Sequence, residues 1–188
     1  MRKVVLKMSV SLDGYICTPS DGVDWVFRSF DSGLEQYIVN LLWQADIHIM
    51  GRKTYNMMSE YWLTSTESYA APMNEIPKVV FSRTLAEANW KNSRLGQSDL
   101  EEEMAYLKQQ PGKMILAHGG AGFAQSLMQL GLVDEYQLMI HPVVLGEGIP
   151  LFKDMHQALP LKLLDTRVFD AGVVLHVYQP ASSLKYRH

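Results

Sequence analysis

Residues 119–152 read GGAGFAQSLMQLGLVDEYQLMIHPVVLGEGIPLF. The stretch opens as a helix and continues as strands. Phe123, Leu127 and Leu130 recur at helical spacing, and Gly131 supplies the residue type that ends a helix in the left-handed conformation. The following DEYQLMIHPVVLG reads as a strand, and LKLLDTRVF and GVVLHVYQP follow as strands with no helix between them. That ending limits the fold. Parallel strands need long, usually helical crossovers, whereas antiparallel neighbours need only a turn.

Upstream of Gly119 the pattern alternates. KVVLKMSVS is a strand, and LEQYIVNLLWQA is a helix with Leu34, Ile38, Leu41 and Leu42 on one face. DIHIMG and KVVFS read as strands around the helix RKTYNMMSEYW. SDLEEEMAYLKQ is an amphipathic helix that stops before Pro111-Gly112, and KMILAHGG is the next strand. Alternation followed by a strand-rich end predicts one α/β domain over residues 1–180. Its central sheet is mixed and mostly parallel, with antiparallel strands at the C-terminal edge and helices on both faces. Residues 181–188 read as a polar tail.

Composition narrows the function. A net charge of -3 leaves no basic excess for a nucleic-acid backbone. The one cysteine, Cys17, cannot close an internal disulfide, reads as a buried inert thiol, and suits a reducing compartment. No Cys/His spacing matches a zinc site, so no metal is expected. No run approaches the roughly 20 apolar residues of a membrane span, and Lys7 interrupts the apolar start. The expected setting is cytoplasmic, with a small-molecule partner.

In open α/β sheets ligands collect at the carboxyl ends of strands. Four such ends carry unusual residues. Gly51, Arg52, Lys53 and Thr54 open a helix with two cations, which is unfavourable against the helix dipole unless an anion binds there; two solvated cations are the simpler alternative. Gly119, Gly120 and Gly122 separate a strand from a helix, where glycine admits close backbone approach to a phosphate or makes a tight turn. Gln125 stands where a dinucleotide fingerprint of the Rossmann type has glycine or alanine, so that motif is absent. Ser82 and Arg83 close the strand VVF as an anion-type pair or an ordinary exposed loop. The fourth end is MSVSLDGYI. Its Asp13-Gly14 corner is either a hairpin turn or the floor of a ligand site.

Taken in order, MSVSLDGYI, GRKTY, VVFSRTL and the 119–152 stretch resemble the dihydrofolate reductase superfamily. They are most similar to the branch around the C-terminal reductase domain of the bifunctional riboflavin-biosynthesis deaminase/reductase. The likeness runs from residue 4 to about residue 178. It implies a dihydrofolate-reductase-like α/β/α fold, NADPH as cofactor, and reduction of a small heterocyclic or carbonyl compound, as by 5-amino-6-(5-phosphoribosylamino)uracil reductase. By matching position, Gly51, Arg52, Lys53 and Thr54 would hold the pyrophosphate, and Ser82 and Arg83 the 2′-phosphate. Gly119, Gly120, Ala121, Gly122 and Phe123 would form the second cofactor loop. Ser9 and Val10 would border the nicotinamide, and Leu145, Gly146 and Glu147 the substrate. The resemblance also implies a homodimer formed through the strand-rich end.

Trp25, Phe27 and Phe30 lie in the segment that overlies the substrate in this family. They either stack on a planar ring or pin the loop to the core. Asp13 and Glu147 are the first candidates for proton donor. Glu35 stands where folate enzymes carry their carboxylate, but Ser32 and Glu35 also have capping-box spacing. Two alternatives stay open: a non-catalytic NADP(H)-binding module, and a pterin reductase of the dihydrofolate reductase type. Met57 and Met58 read as core filler, and His118 as structural.

Overall fold

The computed structural model describes residues 1–155 and 157–181. Residues 182–188 of the expected tail lie outside the described residues. The elements in order are β1 (Lys3–Ser11), β2 (Tyr15–Cys17), a 3-10 turn (Asp24–Ser29), α1 (Ser32–Gln44), β3 (Ile47–Gly51), α2 (Arg52–Trp62), α3 (Ala70–Glu75) and β4 (Lys78–Phe81). There follow β5 (Ser93–Leu95), α4 (Leu100–Gln109), β6 (Met114–His118), α5 (Ala121–Gln129), β7 (Glu135–His141), β8 (Ile149–Pro150), β9 (Leu161–Val168) and β10 (Val174–Pro180).

Eight strands form one sheet in the order β5-β4-β3-β6-β1-β7-β10-β9. The first six are mutually parallel, and β10 and β9 add antiparallel at the C-terminal edge. The three-layer arrangement is the one the pattern predicts. A strand near the middle of such a sheet is covered on both faces and so must be apolar on both. In β1, Val4, Leu6, Met8 and Val10 join one core cluster, while Val5 joins the other with Leu34, Ile38, Leu41 and Leu42 of α1. Burying each such side chain contributes roughly 1.5–3 kcal/mol.

The opening corner is not a hairpin. Gly14 turns the chain at φ 90° and donates to the Ser11 carbonyl at 3.0 Å. The next strand, β2, pairs with β8 instead of β1. The corner therefore brings the 142–151 loop onto the carboxyl end of β1.

Local chemistry corrects three details of the sequence reading. The Ser32/Glu35 capping box does not form. Asp31 is the cap, its Oδ1 accepting from the Leu34 amide at 2.8 Å and its Oδ2 from the Ala171 amide at 2.7 Å. Helix α5 ends as expected at Gly131, φ 64°, with the Gly131 and Leu132 amides bonded to the Met128 and Leu127 carbonyls. Its buried face, however, is Ala124, Leu127 and Met128, and Leu130 is exposed. Met57 is likewise exposed, while Met58 packs on the core. Cys17 is buried, and burial raises its thiol pKa, as an inert cysteine requires.

Among the described residues, three histidines are buried. His48 and His118 sit in one edge-to-face contact at 4.7 Å, and His141 accepts or donates at 2.8 Å with the Ser29 hydroxyl. Desolvation lowers His48 to about 3, His141 to about 4, and His118 well below the ordinary value. Their neutral forms are thus built into the native state. Stability from this source is complete above the unfolded pKa of about 6.5 and is lost as pH falls toward the folded values, by up to roughly 1.4 kcal/mol per histidine per pH unit. Urea midpoints are expected to fall steadily from pH 6.5 to 5, and His48→Gln is expected to flatten that slope; an unchanged slope counts against the assignment.

Candidate active site

The carboxyl ends of β1, β3, β4 and β6 meet on one rim of the sheet. Helices α2 and α5 leave from this rim, and both begin bare. Gly51 and Gly120 are their N-caps, neither helix has a side-chain cap bond, and neither carries an acidic residue in its first turn. The other two long helices are finished differently. Asp31 caps α1 and Asp99 caps α4, and both have acidic first turns. Uncapped N-termini leave backbone N–H groups without partners and the positive end of the helix dipole unanswered. Two such ends side by side suit an anion with more than one phosphate.

The two ends are held together. The Thr54 hydroxyl donates to the Gly119 carbonyl at 2.7 Å. Glycines on the Gly119 side of this bond pack closely against its neighbours. A Cβ on Gly120 would lie 2.6 Å from the Thr54 hydroxyl, and one on Gly119 would lie 2.1 Å from the Met8 sulfur. A Cβ on Gly51 would come within 3.0 Å of Phe123, whose ring stacks on Phe81 at 5.3 Å. Gly122 has open space around it. Ala121 supplies the first residue of α5.

The cations divide. Lys53 pairs with Asp21 at 3.0 Å, an exposed contact. Arg52 and Arg83 are exposed and have no ion-pair partner among the described residues. Ser82 is committed locally: its hydroxyl accepts from the Thr84 and Leu85 amides at 3.2 and 2.9 Å and shapes the turn that presents Arg83.

On the other side of the rim stands Asp13. Its carboxylate accepts from the Ser11 hydroxyl at 2.6 Å, the Leu145 amide at 3.2 Å and the Gly146 amide at 2.8 Å. These bonds, led by Ser11, lower its pKa. A carboxylate stabilised as the anion is a poor proton donor. Asp13 instead fastens the 145–146 loop to the end of β1. Glu147 lies next along that loop and is exposed.

Trp25 does not offer a free face to a ligand. It is buried with its ring edge-on to His141 at 5.3 Å, so it pins the segment to the core. Phe27 is 67% exposed, and Phe30 lies between Phe27 and Tyr69. The Glu35 carboxylate accepts from the Ser68 hydroxyl at 2.6 Å, which ties α1 to the segment before α3.

The sequence reading passed over Lys7. Within β1, the burial pattern eBBBiBiBB leaves only Lys7 and Ser9 part-exposed between the strand's ends. Alternate residues share a face, so both part-exposed side chains lie on the α1 side of the sheet. Val10 points the other way and is buried. Lys7 keeps some open surface, yet its ammonium group is desolvated, which lowers its pKa to about 8. One lysine inside an apolar central strand was the signal, and it was visible in KVVLKMSVS.

The sheet order and the three layers are those of an α/β/α protein of the dihydrofolate reductase fold. The sequence profile of the RibD C-terminal domain matches residues 2–175. The chain belongs to that family. It is 38% identical over 191 residues to the uncharacterized protein YyaP of Bacillus subtilis, with 94% of each chain covered. A Shewanella protein assigned to riboflavin biosynthesis superposes with a TM-score of 0.75 at 23% identity, covering 95% of this chain and 99% of its own. The dihydrofolate reductase of Enterococcus faecalis, solved with NADP(H), superposes at 0.63 and 13% identity, covering 95% and 96%. Membership and fold together class the chain with riboflavin-pathway-like reductases.

The glycine contacts make a graded expectation. Gly122→Ala is expected to leave stability unchanged or raise it by a few tenths of a kcal/mol, since the space is open and alanine favours helix. Gly120→Ala is expected to lower the melting temperature by several degrees through loss of the Thr54 bond. Melting curves of the two variants, measured side by side, check the order.

Proposed function

We propose that this protein is a cytoplasmic NADPH-dependent reductase of a small heterocyclic or carbonyl compound, similar to 5-amino-6-(5-phosphoribosylamino)uracil reductase. The observation that carries the reading is the pair of uncapped helix N-termini joined by the Thr54–Gly119 bond. Their free amides, with Arg52 and Lys53, fit a pyrophosphate, and the absence of side chains at Gly119 and Gly120 lets the loop pack closely against Met8 and Thr54, which keeps the two helix starts together. Arg83, presented by the Ser82 turn, fits the 2′-phosphate. Phe123 and Ala121 complete the second loop.

When bound, NADPH supplies the hydride, and the residues of this chain do the remaining work. Ser9 lines the floor of the cleft beside Lys7. Asp13 holds Leu145 and Gly146 at its edge, and through them sets where Glu147 stands. Lys7 delivers the proton that the reduced substrate nitrogen or oxygen must gain. With its pKa near 8 it is mostly protonated at neutral pH, yet close enough to release the proton. Turnover is therefore expected to fall as pH rises through about 8.

Stopped-flow oxidation of bound NADPH against pyrimidine, pterin, flavin and quinone acceptors tests the reading. Tight cofactor binding with no turnover on any acceptor would favour a non-catalytic binding module. Lys7→Met is expected to bind NADPH within about threefold of wild type while losing roughly 10²–10⁴ in turnover. Retained turnover would remove Lys7 from the mechanism.

Cofactor choice gives a second measurement. A charge-assisted contact to the 2′-phosphate is worth roughly 1.5–3 kcal/mol, one to two decades of affinity. Arg83→Ala is expected to lose most of the preference for NADPH over NADH, whereas Arg52→Ala weakens both. An unchanged ratio of dissociation constants in Arg83→Ala would displace the 2′-phosphate from this position.

A further inference from the structure

A lysine within a central strand ordinarily comes with a carboxylate, and Lys7 has none. Its ammonium group makes no ion pair and no hydrogen bond among the described residues. It is not sealed in either. The unpartnered ring nitrogens closed off from solvent on this face belong to His118, His48 and His141, whereas Lys7 stays part-exposed.

The groups around it offer no counter-charge. Lys7 stands in register with His118 of β6 on one side and Gln137 of β7 on the other. His118 packs edge-on to His48 at 4.7 Å, and desolvation keeps His118, His48 and His141 neutral. Glu135, two residues before Gln137 and so on the same face, is already taken. Lys3 donates to one of its oxygens at 2.6 Å and the Gln137 carboxamide to the other at 2.9 Å. Lys78, in register with His48 on β4, gives its ammonium group to the Met73 and Ile76 carbonyls. Helix α1 contributes Leu34, Ile38, Leu41 and Leu42, all apolar. A charged amine here is answered by nothing, so desolvation favours the uncharged amine with its lone pair free. Ser9, two residues along on the same face, keeps a hydroxyl that makes no hydrogen bond among the described residues.

We propose that Lys7 captures small aldehydes as a reversible imine on the part-open face of β1. The Nζ lone pair adds to the carbonyl carbon, and the two amine hydrogens leave with the carbonyl oxygen as water. One C=N bond then stands where the C=O bond was. Nothing is oxidised or reduced, and water reverses the step. An aldehyde suits these surroundings because it is small and uncharged, and the neutral floor offers no partner to a second charge. The Ser9 hydroxyl can donate to the carbonyl oxygen while the new bond forms. Lysines that do this chemistry are those that desolvation keeps uncharged. With the pKa of Lys7 lowered to about 8, its amine form is roughly a hundredfold more populated at neutral pH than that of an ordinary exposed lysine. Capture uses the amine form, whereas proton delivery uses the ammonium form, so neither reading depends on the other.

Reductive alkylation tests it. The protein at pH 7 is treated with limiting propanal and sodium cyanoborohydride, which adds hydride to the imine carbon and leaves a propyl group on nitrogen as a stable secondary amine. Peptide mapping by mass spectrometry is expected to show Lys7 modified at least about tenfold faster than exposed lysines such as Lys53, whose side chain is 81% open. The exposed Met1 α-amine serves as the reference for reagent activity. In urea the preference for Lys7 is expected to vanish, because the unfolded chain desolvates nothing. Lys7→Arg keeps a cation that forms no imine and is expected to lose this one site. Circular dichroism checks that the variant is folded, and the wild-type peptide map decides either way. Cyanoborohydride supplies the hydride, so the result does not depend on NADPH binding. Lys7 left unmodified in the folded protein, Lys7 modified no faster than Lys53, or a preference that persists in urea would each overturn the proposal.

Discussion

A strand covered on both faces has no inexpensive place for a charge, and β1 carries one. Desolvating an ammonium group costs free energy, and the protein meets that cost by keeping Lys7 part-open and lowering its pKa to about 8. The arrangement around it follows from this choice. On the α1 face, Lys7 and Ser9 stay part-open while Val5 is packed under the helix. Helix α1 is held at its first turn, where Asp31 and Glu35 reach Ala171 and Ser68. The neighbouring sheet residue His118 is neutral, so no second charge competes for the same low-dielectric space.

The opposite half of the rim is organised by absence of capping. Elsewhere the chain finishes its long helices with aspartate, and α2 and α5 begin on glycine with no acid nearby. The pattern is a division of electrostatic labour within one fold. Helices that only support the core neutralise their own dipoles. Helices at the rim keep theirs available.

Much of this was legible in the sequence. The helix after Gly120, the stop at Gly131 and the strand-only ending gave away the mixed sheet with its antiparallel C-terminal edge, because each rests on a local rule that tertiary packing did not override. The glycines of the 119–120 pair were also readable, although their tightest contacts, with Met8 and Thr54, come from distant segments. What was not legible depends on long-range geometry. Trp25 looks the same in sequence whether it faces a ligand or His141. Asp13 reads as an acid until the Leu145 and Gly146 amides, 132 and 133 residues away, are seen to hold its anion. The capping box failed because Asp31, one residue earlier, is the stronger competitor: its two oxygens reach two different segments. Short pieces such as α3 and β5 carry too few residues for any period to show.

That shared carboxylate has a mechanical meaning. Asp31 fixes the first turn of α1 with one oxygen and the turn between β9 and β10 with the other. Helix α1 therefore cannot unwind at its start to admit a ligand without also releasing the antiparallel corner of the sheet. Movement of the helix start is thereby coupled to the β9–β10 corner through one side chain. The 3-10 segment from Asp24 to Ser29 is tied down as well, by Trp25 against His141 and by the Ser29–His141 hydrogen bond, which leaves the Phe27 side chain as its solvent-facing part.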